Sequence, residues 1–153
     1  MVAEIEHAAP TRYEDDVYAW AEQQAALLRV RRFAELDLEH LIEEIEEVGG
    51  SLRRAMLNDA RVVIEHLLKL EHSPARDPRR VWRATILEHR ARLETGLTPA
   101  LRPVVEAELP RIYRLARRAV ETALRDHDET AAADALPETC PYTLADITGD
   151  WLP

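Results

Sequence analysis

Asp37-Leu38-Glu39-His40-Leu41-Ile42-Glu43-Glu44-Ile45 opens the stretch whose reading decides the fold, and His66-Leu67-Leu68-Lys69-Leu70 closes it. Between these ends apolar residues recur at intervals of three and four, the period of an amphipathic helix. Leu38, Leu41, Ile45 and Val48 make one stripe; Gly49-Gly50 then offers helix-stopping chemistry and Ser51 a cap for the next helix. Over about 51–71 two apolar stripes run side by side, Leu52, Met56, Val63, Leu67 and Leu70 on one and Leu57, Ile64 and Leu68 on the other. A helix apolar on two sides must be contacted on two sides, so this one reads as the central helix of a bundle.

The flanking sequence supplies the helices around it. Residues 1–10 read as a flexible tail, and Thr11-Arg12-Tyr13-Glu14 as a capping box opening the first helix. That helix places Tyr13, Val17, Trp20, Gln24, Leu27 and Leu28 on one face as far as about Val30. Downstream, Ser73-Pro74-Ala75-Arg76-Asp77-Pro78 is a proline-punctuated loop, and a helix from about Arg80 to Thr95 aligns Trp82, Ile86, His89 and Leu93. Thr98-Pro99 reads as a cap before a helix with Leu101, Val105, Ile112, Ala116, Ala119 and Ala123 on one face. Pro110 lies inside that pattern and predicts a kink or break near Ala107 to Leu109. Pro137 to Thr143 reads as extended, with Thr143 and Asp146 opening a last short turn. The expectation is an all-α bundle of about five helices around the central helix, one domain over 11–153, with an extended C-terminal tail.

Composition narrows the function classes. A chain of 153 residues with 46% hydrophobic and 32% charged residues, 4 Gly and 5% aromatics has the profile of a soluble helical protein. A formal net charge of −9 repels phosphate backbones and anionic lipid, which disfavours nucleic acid and membrane surfaces as partners. No run approaches the roughly 18 apolar residues a membrane span needs. The N-terminal segment shows neither a basic leader nor an apolar run, and Cys140 stands alone, so the expected location is the cytoplasm of a bacterium. Arginine outnumbers lysine nineteen to one, which makes Lys69 conspicuous.

Candidate chemistry follows from spacing. Asp37 and Glu44 lie seven apart on one helical flank, Asp59 and His66 seven apart on the next helix. A hairpin at Gly49-Gly50 would place both pairs on one interface, where partly buried carboxylates need a partner, a proton or a cation. Asp37 also suits an N-cap, and Asp59 and His66 suit a hydrogen-bonded core pair or a link to another helix. His89 reads as a satisfied core histidine, Trp20 and Trp82 as packing anchors, and Arg90 is placed to reach a carboxylate such as Glu44. The block Glu43-Glu44-Ile45-Glu46-Glu47 contains a Glu-Glu-x-x-Glu pattern resembling the magnesium-binding helix of all-α nucleoside-triphosphate pyrophosphohydrolases. The Glu-x-x-Asp that such enzymes carry on the following helix is absent, as is ferritin-like Glu-x-x-His spacing.

Taken in order, Tyr13 to Trp20, Asp37-x₃-Leu41-Ile42-Glu43-Glu44-Ile45, His66-Leu67-Leu68-Lys69, Trp82-Arg83-Ala84-Thr85-Ile86 with Arg90, and Cys140-Pro141-Tyr142-Thr143 resemble the bacterial family known as domain of unknown function number 29. The resemblance implies an all-α bundle and brings no activity, cofactor or partner with it. Pro110 departs from the family pattern, which resembles an uninterrupted helix there. The leading expectation is a non-enzymatic bundle that self-associates as a homo-oligomer or binds a protein partner, with no cofactor. The alternative is a hydrolase of phosphate esters or nucleotides dependent on Mg or another divalent cation. It would use Asp37, Glu44 and Asp59 as metal ligands, His66 as ligand or general base, and Lys69 or Arg90 against the phosphate.

Overall fold

The computed structural model describes residues 10–153, so the tail expected over 1–10 falls, apart from Pro10, outside the described residues. Six α-helices follow in order: α1 Val17–Arg29, α2 Leu38–His72, α3 Arg79–Gly96, α4 Leu101–Asp126, α5 Thr130–Asp134 and α6 Leu144–Thr148, with a 3₁₀ turn at Phe33–Glu35. No strand occurs among the described residues. The sequence reads as one domain from residue 11; in the structure the described residues form two compact units, 10–49 and Gly50–Pro153.

In the first unit α1 starts later than the capping box at Thr11 suggests. Asp16, in an extended conformation, is the N-cap, and its carboxylate accepts the Ala19 N–H at 3.0 Å. Thr11 instead donates its own N–H to Gln23 Oε1 at 3.1 Å, and Tyr13 is drawn out of the helix by contacts with His40 and Glu44. Tertiary partners outcompete the local cap. The expected α1 stripe is only partly covered: Trp20 and Gln24 are buried, Tyr13 and Leu27 half-buried, and Val17 and Leu28 exposed.

The main correction concerns Gly49-Gly50. No hairpin forms there, because α2 runs unbroken for 35 residues and no glycine adopts positive φ. A glycine stop needs the left-handed conformation, and two helical glycines cost only about 1 kcal/mol each. Downstream, Val63, Ile64, Leu67 and Leu68 are wholly buried, each contributing roughly 1.5–3 kcal/mol. That burial outweighs the glycine penalty.

The second unit holds the hydrophobic core. Its buried residues run from Met56, Ala60, Val63, Ile64, Leu67 and Leu68 of α2 through Ile86 and Leu93 of α3 to α4, α5 and α6. The two-sided burial read for this part of α2 is realised, although Leu52 is exposed. Helix α4 passes through Pro110 without a break. The missing N–H costs one hydrogen bond, but Leu109, Ile112 and Tyr113 around it are buried and hold the helix on the core. Its buried face is Val105, Leu109, Ile112, Tyr113, Ala116, Val120 and Leu124, so Ala119 is exposed where the sequence suggests burial. Helix α5 was not legible as a separate element.

Gly96 packs on Met56, whose flexible thioether end would have to shift to admit a Cβ, since that carbon would lie 2.5 Å from Met56 Cε. The extended C-terminal tail is fastened to the same unit. Pro137 carbonyl accepts from Tyr113 Oη at 2.5 Å and from Arg117 Nε at 2.9 Å, and Tyr142 donates its hydroxyl to Glu71. Thr143 and Asp146 form the expected capping box at the start of α6.

Candidate functional site

Two polar clusters and one apolar face collect the residues to which the sequence points, and each lies within a single unit. The first cluster is built where α1 and the start of α2 face one another. Asp37 accepts Trp20 Nε1 at 3.1 Å through Oδ2, which also lies 2.7 Å from His40 Nδ1. Its other oxygen accepts the His40 backbone N–H at 3.4 Å, the N-cap role its sequence position suggests. The Asp37 N–H in turn donates to buried Gln24 at 2.9 Å. The Tyr13 ring stacks on His40 at 4.3 Å and meets Trp20 edge-on at 5.0 Å, and its hydroxyl donates to Glu44.

Hydrogen bonds set the ionisation of the groups in this cluster. Partial burial works to raise the Asp37 carboxyl pKa, but hydrogen bonds from His40 and Trp20 outweigh it and hold the group below the usual range. The bond to Asp37 likewise raises the His40 pKa. Tyr13 is raised chiefly by its bond to Glu44. An open cavity of about 810 Å³ adjoins the cluster, lined by Trp20, Gln24, Leu27, Arg32, Leu36 and Asp37 among others. Its polar groups are largely spent on one another, for Arg32 is paired with Glu35 and Gln24 Oε1 is held by Asp37.

The second cluster joins α2 to α3. Asp59, nearly buried, lies 2.6 Å from His89 Nδ1, with Arg92 Nη1 at 3.8 Å. This is the helix-to-helix link considered for Asp59, made to His89 rather than His66. His66 instead turns Nδ1 onto the carbonyl of Val62 at 2.8 Å. Burial first, then Lys69 and His89, depress its pKa. A carboxylate on Nδ1 leaves Nε2 of His89 as a base, the orientation used in hydrolytic triads. No hydroxyl or thiol nucleophile joins that dyad in the hydrogen bonds described for it. Cys140 is no substitute, because burial raises its thiol pKa and its Sγ donates to the Tyr142 carbonyl at 3.4 Å.

Arg90 departs furthest from its expected use. Its side chain reaches no carboxylate of α2; it donates to the carbonyls of Ile147 at 3.0 Å, Asp146 at 2.8 Å and Trp151 at 2.7 Å. It is a clamp for the C-terminal segment, and burial lowers its pKa. The proposed ligands are divided between the two units. Asp37 and Glu44 belong to the first cluster and Asp59 to the second. Among the described residues no group of three or more His, Cys, Asp or Glu is arranged to hold a metal ion. Neither the cavity beside Trp20 nor a smaller one of about 270 Å³ beside Arg53 and Glu108 is lined by His66 or Lys69.

What the sequence does not disclose is the apolar face. Leu38, Ile42, Ile45 and Val48 line one side of α2 and are 58%, 54%, 69% and 61% exposed. The stripe read from the sequence is Leu38, Leu41, Ile45 and Val48; Leu41 is half-buried, the other three are exposed, and Ile42, outside that stripe, is exposed beside them. Periodicity shows that a face is apolar and is silent on whether the same chain covers it.

Comparison with known proteins bears on this arrangement in three ways. The model of the family described as "Domain of unknown function DUF29" matches residues 12–152. The crystal structure of an alpha-helical protein of unknown function from Rhodospirillum rubrum is similar at 25% identity, with a TM-score of 0.67 over 92% of this chain and 90% of that one. No curated protein matches the chain.

Proposed function

Because the chain belongs to the DUF29 family, whose description assigns no activity, we propose from its own geometry that it is a non-enzymatic helical protein acting through association with another polypeptide. The observation that carries the reading is the exposed row Leu38, Ile42, Ile45 and Val48 on α2. Each such side chain left half in water forgoes roughly 1–2 kcal/mol of apolar burial at about 25 cal/mol per Å². Together they form one apolar row on α2, and exposed apolar patches larger than a few hundred Å² mark interaction sites on soluble proteins. The polar pairs support the same reading, since Asp37–His40 and Asp59–His89 are locked into neighbouring structure. In this view they fix how helices meet.

The test is site-specific photocrosslinking in the producing cell, with a crosslinker at Ile45 and a control at exposed Glu94 on α3. A discrete adduct at Ile45 alone is the expected result, whether the captured chain is a second copy or another protein. Monomer alone from both positions, with a strict monomer in sedimentation, refutes the reading.

A further inference from the structure

Resting on that reading, we infer that the occupant of the α2 face is a basic amphipathic helix of a different protein. The argument is the charge that borders the apolar row. Stepping one residue along from Leu38, Ile42 and Ile45 gives Glu39, Glu43 and Glu46, all exposed. A shift of one residue is a rotation of about 100°, so the three carboxylates form a second row along one edge of the apolar one. Between Leu38 and Val48 there is no lysine or arginine, and five of the eleven residues are glutamates. On the opposite edge Glu44 is engaged by Tyr13, and His40 is turned onto Asp37. The glutamate row is therefore the side on which a partner's charges would be read.

A second copy of this chain fits that edge poorly. It would bring the same glutamates alongside these, within a molecule already at −9, and like charges across an interface work against pairing. A helix with apolar residues at intervals of three and four and Lys or Arg on one flank satisfies both rows at once. Its apolar face covers Leu38, Ile42, Ile45 and Val48, the mode by which an amphipathic helix lies in a groove or along another helix. Its basic flank meets Glu39, Glu43 and Glu46. The electrostatic part adds selectivity and speed of encounter more than affinity, and it weakens with salt.

The experiment uses the full chain and four labelled synthetic helices that share one apolar face. One carries Lys on the flank, one Gln, one Glu, and the last is the Lys peptide scrambled to destroy amphipathicity. Binding is followed by fluorescence anisotropy at low and at physiological salt. The expected order is Lys tighter than Gln by at least tenfold, Glu weakest, and the scrambled peptide unbound, with the Lys advantage shrinking as salt rises. Ile42→Ser with Ile45→Ser should abolish binding of every peptide. Glu39→Gln with Glu43→Gln and Glu46→Gln should leave binding of the Gln peptide intact and erase the preference for Lys. Circular dichroism confirms that both variants fold.

Equal binding of the Lys and Gln peptides overturns the charge inference while leaving a docking face in place. Equal binding of the scrambled peptide overturns it as unspecific attraction to an acidic chain. Self-association through Ile45 that strengthens with salt assigns the face to a second copy. Loss of all peptide binding together with a silent crosslinker at Ile45 removes the underlying reading itself.

Discussion

Replacing Arg90 by Ala separates a structural clamp from a phosphate-binding arginine. The guanidinium donates to three backbone carbonyls, those of Asp146, Ile147 and Trp151, between 2.7 and 3.0 Å. A hydrogen bond from a charged donor is worth about 1.5–3 kcal/mol, but such contributions do not add. Two of the bonds are only partly buried, so their carbonyls regain water when the arginine is gone. A ceiling comes from the segment itself: were it to undock, the loss would be mainly Leu144 and Ile147, roughly 1.5–3 kcal/mol each. The expected loss for Arg90→Ala is therefore about 3–5 kcal/mol. Arg90→Lys keeps the charge but lacks the planar fork that reaches carbonyls on both sides, and should lose about 1–3 kcal/mol. Urea denaturation followed by circular dichroism measures both. Hydrogen exchange at the Gly149 amide, bonded to Ala145 O at 2.8 Å, reports local release of α6. Arg90→Ala within about 1 kcal/mol of the parent, with Gly149 still protected, would refute the clamp.

The unbroken α2 predicts that Gly49→Ala stabilises the protein by about 0.5–1 kcal/mol. Gly49 is helical, and a Cβ there meets nothing within 4 Å; destabilisation on denaturant melting would instead restore the glycine stop. Gly96→Ala should cost about 1–3 kcal/mol by overpacking, because the added carbon falls 2.7 Å from Met56 Sδ. In a Met56→Ala background the added cost of Gly96→Ala should shrink, read as the coupling in a double-mutant cycle, and a neutral Gly96→Ala would show that Met56 moves aside freely. The two histidines predict opposite pH trends. His40 is raised above 6.5 by Asp37, so its contribution is complete below 6.5 and is lost as pH climbs through the raised value. His66 is depressed below 6.5, so the unfolded chain binds its proton first and stability falls as pH drops from 6.5. Thermal melts from pH 5 to 8.5 should therefore flatten on the alkaline side in His40→Gln and on the acid side in His66→Gln. Unchanged profiles would reject both assignments.

Most of the second unit was legible because its signals are local and its core is its own. The two-sided pattern of Met56, Val63, Ile64, Leu67 and Leu68 identifies a helix buried on both faces, and all five are buried. Thr143 and Asp146 announce α6 by side chains three residues apart. The errors share a cause, which is that local signals were overruled by packing. Gly49-Gly50 and Pro110 are helix breakers by propensity, and both lie within unbroken helices. Thr11 loses its capping role to a contact twelve residues away at Gln23. For the site, Asp37 as a cap was readable from its position before Leu38. The pairing of Asp59 with His89 depends on how two helices are rotated, which spacing within either helix does not determine.

The contrast between the units bears on why the apolar face exists. Among its described residues the first unit buries Trp20 and Gln24, while Val17, Tyr18, Leu28, Val30, Phe33, Leu38, Ile42, Ile45 and Val48 stay exposed. Segments of about 40 residues rarely bury enough surface to be stable alone. Here the organising contacts are directional instead: Trp20 and His40 on Asp37, Tyr13 on His40 and Glu44. Such bonds fix geometry and add little net stability, since each replaces a bond to water. Under the proposed docking, a helix bound on Leu38, Ile42 and Ile45 would add apolar burial to this unit. A partner at a hundred times its dissociation constant would add about 2.7 kcal/mol by mass action. If a helix docks on the first unit as proposed, the gain should appear in the unfolding of that unit, read by hydrogen exchange at the amides of α1.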